Sequence, residues 1–256
     1  MQNNKVLFIV EGESDEVQFL KRMFQKCFSD QNYELYSYKT NIHVLAQLLF
    51  NDYPDFESDE IDIKLVLRSL EENEHKREIL SQKYRDIYLI FDFEPQHDTP
   101  HFDTIRRMVH FFNDSTDRGK LFINYPMMQS YKHFSHLPDD SFATKKVNLD
   151  QIKHYKQVVG NESNFTDLNQ YNYFTFLSLA VHHIRKANYI LSGKYMLPEV
   201  ENFLTWSSLN IFDKQYTMFA SEYEIYVLNT SIFMIMEFAP NDFIHHVTTS
   251  KEKFDI

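Results

Sequence analysis

The chain has a single cysteine, Cys27, so no internal disulfide can form. One cysteine also excludes a zinc ribbon and fits a reducing compartment. Cys27 sits beside the apolar stripe of a helical stretch and reads as a small buried hydrophobe rather than a nucleophile. Glycine is nearly as scarce, with four in 256 residues, so the one at Gly12 suggests a backbone need. No GxxxxGK[ST] phosphate loop occurs, so ATP hydrolysis would have to come from another chain. The histidine pairs His182-His183 and His245-His246 lack HExxH or other zinc spacing. No apolar run approaches the ~18 residues that span a bilayer. The opening MQNNK has no signal-peptide core, so a soluble, cytoplasmic protein without a membrane partner is expected. Cations are outnumbered, 26 Lys and Arg against 37 Asp and Glu, for a net charge of −11. That argues against a simple basic nucleic-acid binder. It leaves room for a site whose carboxylates hold divalent cations, because bound ions cancel their charge.

What the chain does have is apolar and aromatic mass, 43% and 16%, enough for a sizeable core. Val6 to Val10 is an unbroken apolar run, the pattern of a strand buried on both faces of a parallel sheet. Glu11 ends it and Gly12 follows. Ser14 is placed as an N-cap, with Asp15 and Glu16 in the first turn and Val17, Leu20, Phe24 and Phe28 at helical spacing. Tyr33–Tyr38 alternates as a short edge strand. Residues 42–85 read as a helical insertion, opened by a Thr40-Asn41 cap and broken by a loop at 51–58. Ile87–Phe91 is the second buried strand, ending in Asp92-Phe93-Glu94 before a loop bounded by Pro95 and Pro100. Asp103 is placed as the cap of a helix through Phe112, 113–119 as a turn, and Leu121–Tyr125 as a third strand stopped by Pro126. The alternation of strands and helices predicts an α/β fold with a mostly parallel sheet flanked by helices. Beyond about residue 135 no strand is expected. Helices are expected at 150–159, 167–191 with Gly193 at the C′ position, and from Pro198 to Trp206, and Ile211–Glu237 as one buried helix or two. The expected division is an α/β domain over 1–135 and a C-terminal all-helical lobe over 136–256.

Two buried strands thus end in carboxylates. In a strand, residues two apart share a face, so Asp92 and Glu94 point the same way. If the strands are neighbours, about 5 Å apart, Glu11 meets them in one crevice. Carboxylates that close do not all stay ionised without a cation, and hard oxygen donors suit Mg²⁺ or Mn²⁺.

The segments Val10-Glu11-Gly12-Glu13-Ser14-Asp15 and Phe91-Asp92-Phe93-Glu94 resemble the two acidic motifs of the Toprim domain. That domain occurs in type IA and type II topoisomerases, bacterial primases and overcoming-lysogenization-defect (OLD) nucleases. The resemblance covers about residues 5–130, interrupted by the insertion. It implies a Toprim-like sheet, Glu11 and Asp92 as catalytic carboxylates, and Glu11, Asp15, Asp92 and Glu94 as metal ligands. It departs at Glu94, where the family has Asp; the longer side chain keeps the charge and shifts the ligand position. Asn124-Tyr125-Pro126-Met127-Met128 also looks like small Toprim proteins of phage defence. The resemblance implies a Mg²⁺- or Mn²⁺-dependent nuclease acting on DNA or RNA, an effector paired with a separate ATPase and able to oligomerise.

Bland readings stand beside these. Asp15 and Glu16 also serve as acids that complement a helix dipole, and Asp92 and Glu94 as turn formers before Pro95. His97, His101, His133 and His136 surround the strand ends as surface residues or proton carriers. Lys132, Lys145 and Lys146, with Lys153 and Lys156, form the one basic enrichment, a solvated face or a phosphate-backbone contact. Tyr125 and Tyr131 read as packing or as base-stacking rings. A non-catalytic Toprim-like binding or regulatory subunit is the competing function. Absence of a zinc-ribbon cysteine set weighs against a primase or topoisomerase relative.

Overall fold

The computed structural model describes residues 5–199, 206–238 and 240–249. The unbroken apolar runs become central strands. β1 (Lys5–Val10) is fully buried from Val6 to Val10, and β3 (Asp86–Asp92) is buried along its whole length. β2 (Asn32–Ser37) lies at one edge, β5 (Gly119–Asn124) beyond β3, and the short β4 (Asn113–Asp114) at the far edge. The order is β2-β1-β3-β5-β4, with all pairs parallel except β4 with β5. The stretch 113–119, expected as a plain turn, therefore carries one arm of a hairpin.

The chain runs outward from β1 to β2, then crosses back to β3 on the other side of β1. That reversal lies between β1 and β3, where open α/β sheets leave a crevice at their strand ends. On one sheet face Phe8 stacks on Tyr88 at 5.6 Å and Tyr88 on Phe122 at 5.8 Å. α1 (Asp15–Cys27) turns Phe24 edge-on to Phe8 at 5.1 Å. Truncating such a ring to Ala costs about 3–5 kcal/mol. Ser14 is the N-cap by position, although its side chain makes no capping bond. Burial pushes the Cys27 thiol up to about 12, which suits a packing role.

The insertion forms α2 (Ile42–Asp52), α3 (Ile63–Leu70) and α4 (Glu74–Ser81) between β2 and β3. Asn41 caps α2, accepting from the Val44 N–H at 3.0 Å. α2 packs on α5 (Phe102–Phe111), whose N-cap is His101; Asp103 lies inside the first turn. Among the described residues no helix is long and apolar enough to cross a membrane.

The later stretch is mostly helical: α6 (Leu149–Lys153), α7 (Tyr155–Glu162), α8 (Tyr173–Ser192), α9 (Ser208–Glu222), α10 (Met234–Phe238) and α11 (Pro240–Thr249). α8 ends at Gly193 with φ 78°, as its glycine predicts, but begins at an Asn172 capping box rather than at Asp167. The expectation of an all-helical lobe is corrected. β6 (Lys146–Asn148) pairs antiparallel with β7 (Glu224–Tyr226). Tyr223, with φ 55°, stops α9, and the Gln215 side chain bonds both the N–H and the carbonyl of Tyr226 at 2.9 Å. Three-residue strands carry too little pattern to be read from sequence. The helix expected from Pro198 to Trp206 falls mainly on 200–205, outside the described residues. Buried side chains before and after residue 135 join one continuous core.

Candidate functional site

Parallel pairing of β1 with β3 places Glu11 beside the end of β3. The Glu11 N–H donates to the Ile90 carbonyl at 3.2 Å, and the Asp92 N–H donates to Glu11 Oε2 at 3.0 Å. Asp92 is 6% exposed. The Met128 N–H donates to its carboxylate, while Oδ1 is buried with no hydrogen-bond partner among the described residues. Its pKa is raised well above the usual range by burial, then by Glu11, Glu16 and Glu94. Glu11 is pushed up to about 8 by burial and by Glu94, against the Asp92 N–H bond and Lys156, which favour its charged form. Glu94 is raised by burial, opposed by His97, by a hydrogen bond with Asn41 and by Lys156. Carboxylates in these surroundings repel one another and are short of cations.

Glu94 reaches the site from a left-handed backbone, φ 41°, which costs a non-glycine residue about 1–2 kcal/mol. Two contacts hold it there. The Phe93 and Glu94 N–H groups both donate to the Pro126 carbonyl, at 3.1 and 3.4 Å. From α2, buried His43 donates through Nε2 to the Phe93 and Glu94 carbonyls at 3.2 and 3.1 Å, while its Nδ1 accepts from the His101 N–H at 3.2 Å. This is a neutral imidazole with defined tautomer, and burial brings its pKa down to about 4. His97 stacks on it at 4.8 Å. The Asn124–Met128 segment thus supports the site with backbone groups.

Asp15 is at the margin. Its Oδ2 accepts from Gln129 Nε2 at 2.5 Å and from Lys156 Nζ at 3.1 Å. The inward acid of the first turn is Glu16, 7% exposed and raised by burial. Its carboxylate accepts from its own N–H and that of Gly12. Gly12 explains itself here: an added Cβ would lie 2.6 Å from Glu16 Oε2. Sequence reasoning weighed Glu16 as a ligand but favoured a helix-dipole acid and carried Asp15 forward instead, though an acid five residues after Glu11 across a glycine was the available clue. His43 lay hidden inside an apolar helix.

Of the lysines, Lys156 faces the acids and Lys132 flanks Asp15. Lys145 pairs with Glu162 at 3.2 Å, and Lys146 with Glu222 and Glu224 at 3.2 and 3.4 Å. His101 contributes its backbone, His136 bonds Ser135 at 2.9 Å, and His133 is buried between Tyr155 at 3.0 Å and Glu162 at 2.8 Å. Tyr125 and Tyr131 are 2% and 4% exposed, so both rings pack rather than present a face.

The donor set suits a hard divalent cation: Glu11, Glu16, Asp92 and Glu94 supply oxygens, and the bare Asp92 Oδ1 is an acceptor in need of a partner. Among the described residues no three acidic, His or Cys side chains already form a closed cation-holding group, so ligation would draw the acids together. An open crevice of about 560 Å³, lined by Glu11, Gly12, Asn41 and Glu94, gives access. Comparison with family models, curated proteins and solved structures gives no match to this chain.

Proposed function

We propose that this chain is a Toprim-type nuclease, hydrolysing phosphodiesters of DNA or RNA with Mg²⁺ or Mn²⁺, and that it acts as an effector in phage defence alongside a separately encoded ATPase. The observation that carries the reading is the hydrogen bond of 3.0 Å from the Asp92 N–H to Glu11, which joins the two acidic motifs at the reversal of the sheet. Glu11, Glu16, Asp92 and Glu94 would hold the ion, with Asp15 at the margin. When bound, such an ion polarises a phosphoryl oxygen and acidifies water. Glu11 exchanges the proton. Without a cation, burial raises it to about 8; a bound cation would bring it down, so that near neutrality it would serve as the ionised base that takes a proton from water. Lys156 offsets the charge of the phosphoryl group. His43 and Pro126 fix the turn that carries Glu94.

The left-handed Glu94, standing where the family has Asp, favours a second reading, a non-catalytic binding or regulatory module. Metal-dependent cleavage of a panel of DNA and RNA substrates separates the two. The nuclease reading expects cleavage lost in both Glu11→Ala and Asp92→Ala. Cleavage unchanged by either substitution overturns it, and cation binding by calorimetry without any cleavage selects the module.

A further inference from the structure

We propose that the cleft along the outer face of α1 is a second ligand site, shaped for a nucleoside phosphate, whether the end of a single strand or a free nucleotide. That its occupant feeds the carboxylates rests on the nuclease reading; the binding itself does not.

The half-open cleft holds about 740 Å³, within the ~300–1,000 Å³ range of small-ligand pockets and roomy enough for a nucleotide. One wall is a stripe of α1, Gln18, Lys21, Arg22 and Gln25, whose spacing keeps them on one helix face. The other wall carries Gln129 and Lys132. Lys21, Arg22 and Lys132 make the cleft cationic against Asp15 and Asp167, in a chain of net charge −11. That local reversal of sign is the first pointer to an anionic ligand.

The second pointer is a pair of buried, unmet hydrogen-bonding groups on two of the lining residues, which a ligand would reach by a shift of the side chain. Arg22 donates from one terminal nitrogen to Gln25 at 3.0 Å and from the other to the Asn169 carbonyl. Its Nε is buried and has no partner among the described residues. Gln129 is 5% exposed; its Nε2 donates to Asp15, while its Oε1 is buried and equally without a partner. Native proteins rarely leave such groups unpaired.

The two vacancies differ in kind. Arg22 offers a cationic donor, which a phosphate oxygen meets with a charge-assisted bond. Gln129 offers an acceptor, which a base amino or imino group meets. Inorganic phosphate answers only the first and a bare nucleoside only the second. A nucleoside phosphate answers both, and half-buried Tyr33 lines the cleft as a surface for the base.

Position adds direction. Asp15 lines the cleft and is paired with Lys156, the cation that faces Glu11, Glu16 and Glu94. The cleft and the carboxylates thus share a charged neighbour, through which the occupant of one would sense the other.

The test uses the full chain and fluorescence anisotropy with labelled six-nucleotide oligothymidylate and oligouridylate at several salt concentrations. AMP and inorganic phosphate are the competitors. Arg22→Glu and Lys132→Glu are each expected to weaken binding at least ~10-fold, and each lost phosphate contact flattens the log–log salt slope by about 0.7. Gln129→Leu weakens binding with the salt slope unchanged. Lys26→Glu, on the same helix but outside the cleft, binds normally. Arg22→Lys keeps the charge and removes the Nε donor, and a several-fold loss there supports the site even if Arg22→Glu misfolds by circular dichroism. Competition by AMP assigns a free nucleotide; oligonucleotide binding resistant to AMP assigns a strand end. Binding indifferent to Arg22→Glu, Arg22→Lys and Lys132→Glu, or no binding of either probe or AMP, overturns the proposal. Oligonucleotide binding without cleavage by any form overturns the nuclease reading alone. Single-strand cleavage with kcat/KM unchanged in Arg22→Glu overturns the cleft alone.

Discussion

β3 carries a buried aspartate at each end, and the two live in opposite circumstances. Asp86, 7% exposed, receives Arg85 Nε at 2.6 Å and Ser115 Oγ at 3.0 Å. Asp92, 6% exposed, has an Oδ1 without a partner among the described residues and three glutamates for company. Residue type, strand and burial are shared; only the neighbours differ. A buried acid whose oxygens are met belongs to the scaffold. One left unmet among like charges is held in place by the fold and is poised for a ligand.

Exchanging each acid for its amide breaks this contrast most sharply. Under the nuclease reading, Asp92→Asn lowers cleavage by about 1,000-fold or more, roughly 4 kcal/mol of barrier. The same change relieves repulsion, so the melting temperature holds or rises. Asp86→Asn does the reverse: cleavage stays, while loss of the Arg85 pair lowers stability by about 1–3 kcal/mol, read in urea titrations. A drop in melting temperature for Asp92→Asn equal to that for Asp86→Asn would erase the distinction.

Cation binding comes next in size. At pH 8, Mn²⁺ or Mg²⁺ at a hundred times its dissociation constant raises stability by about 2.7 kcal/mol, seen by calorimetry or thermal shift. Asp92→Asn abolishes that gain and Asp86→Asn leaves it.

The pH dependence is a subtler gauge. Folded Glu11 keeps its proton up to about 8, against 4.5 ordinarily, so between those values the folded chain binds more protons than the unfolded one. Stability without added cation therefore falls as pH rises through that window. Glu11→Gln flattens the decline and raises the melting temperature at pH 8 by about 2–4 °C for each kcal/mol recovered. An unchanged slope would show that Glu11 is ordinarily ionised.

Two glycines give the smallest effects. Gly160 has nothing within 4 Å of an added Cβ, and Gly160→Ala in α7 stabilises by about 0.4–1 kcal/mol. At Gly12 the Cβ meets Glu16 at 2.6 Å, so Gly12→Ala displaces that carboxylate and weakens cation affinity without a matching gain in stability.

Long-range order was legible where burial was uniform. Val6–Val10 and Ile87–Phe91 announced central strands because both faces are covered, and their terminal acids announced the crevice. Their adjacency remained a condition until β1 was seen beside β3. The rest hid for physical reasons. Glu16 looked like a helix-dipole acid because sequence does not show which way a first turn faces. His43 sat in the apolar run of α2, where a neutral imidazole passes as core. β6 and β7 are too short to carry a period, and the cleft on α1 is walled by residues some 110 positions away, as Arg22 and Gln129 are.

The bond between Asp92 and Glu11 closes a loop of 81 residues. Contacts of such sequence separation form late, because the entropy of ordering the intervening chain is lost before they repay it. Until β1 and β3 meet, Glu11 and Glu16 stay apart from Asp92 and Glu94, and both pairs are solvated. The same step that completes the sheet therefore gathers the acids, and under the nuclease reading a chain that has not finished folding cannot cut.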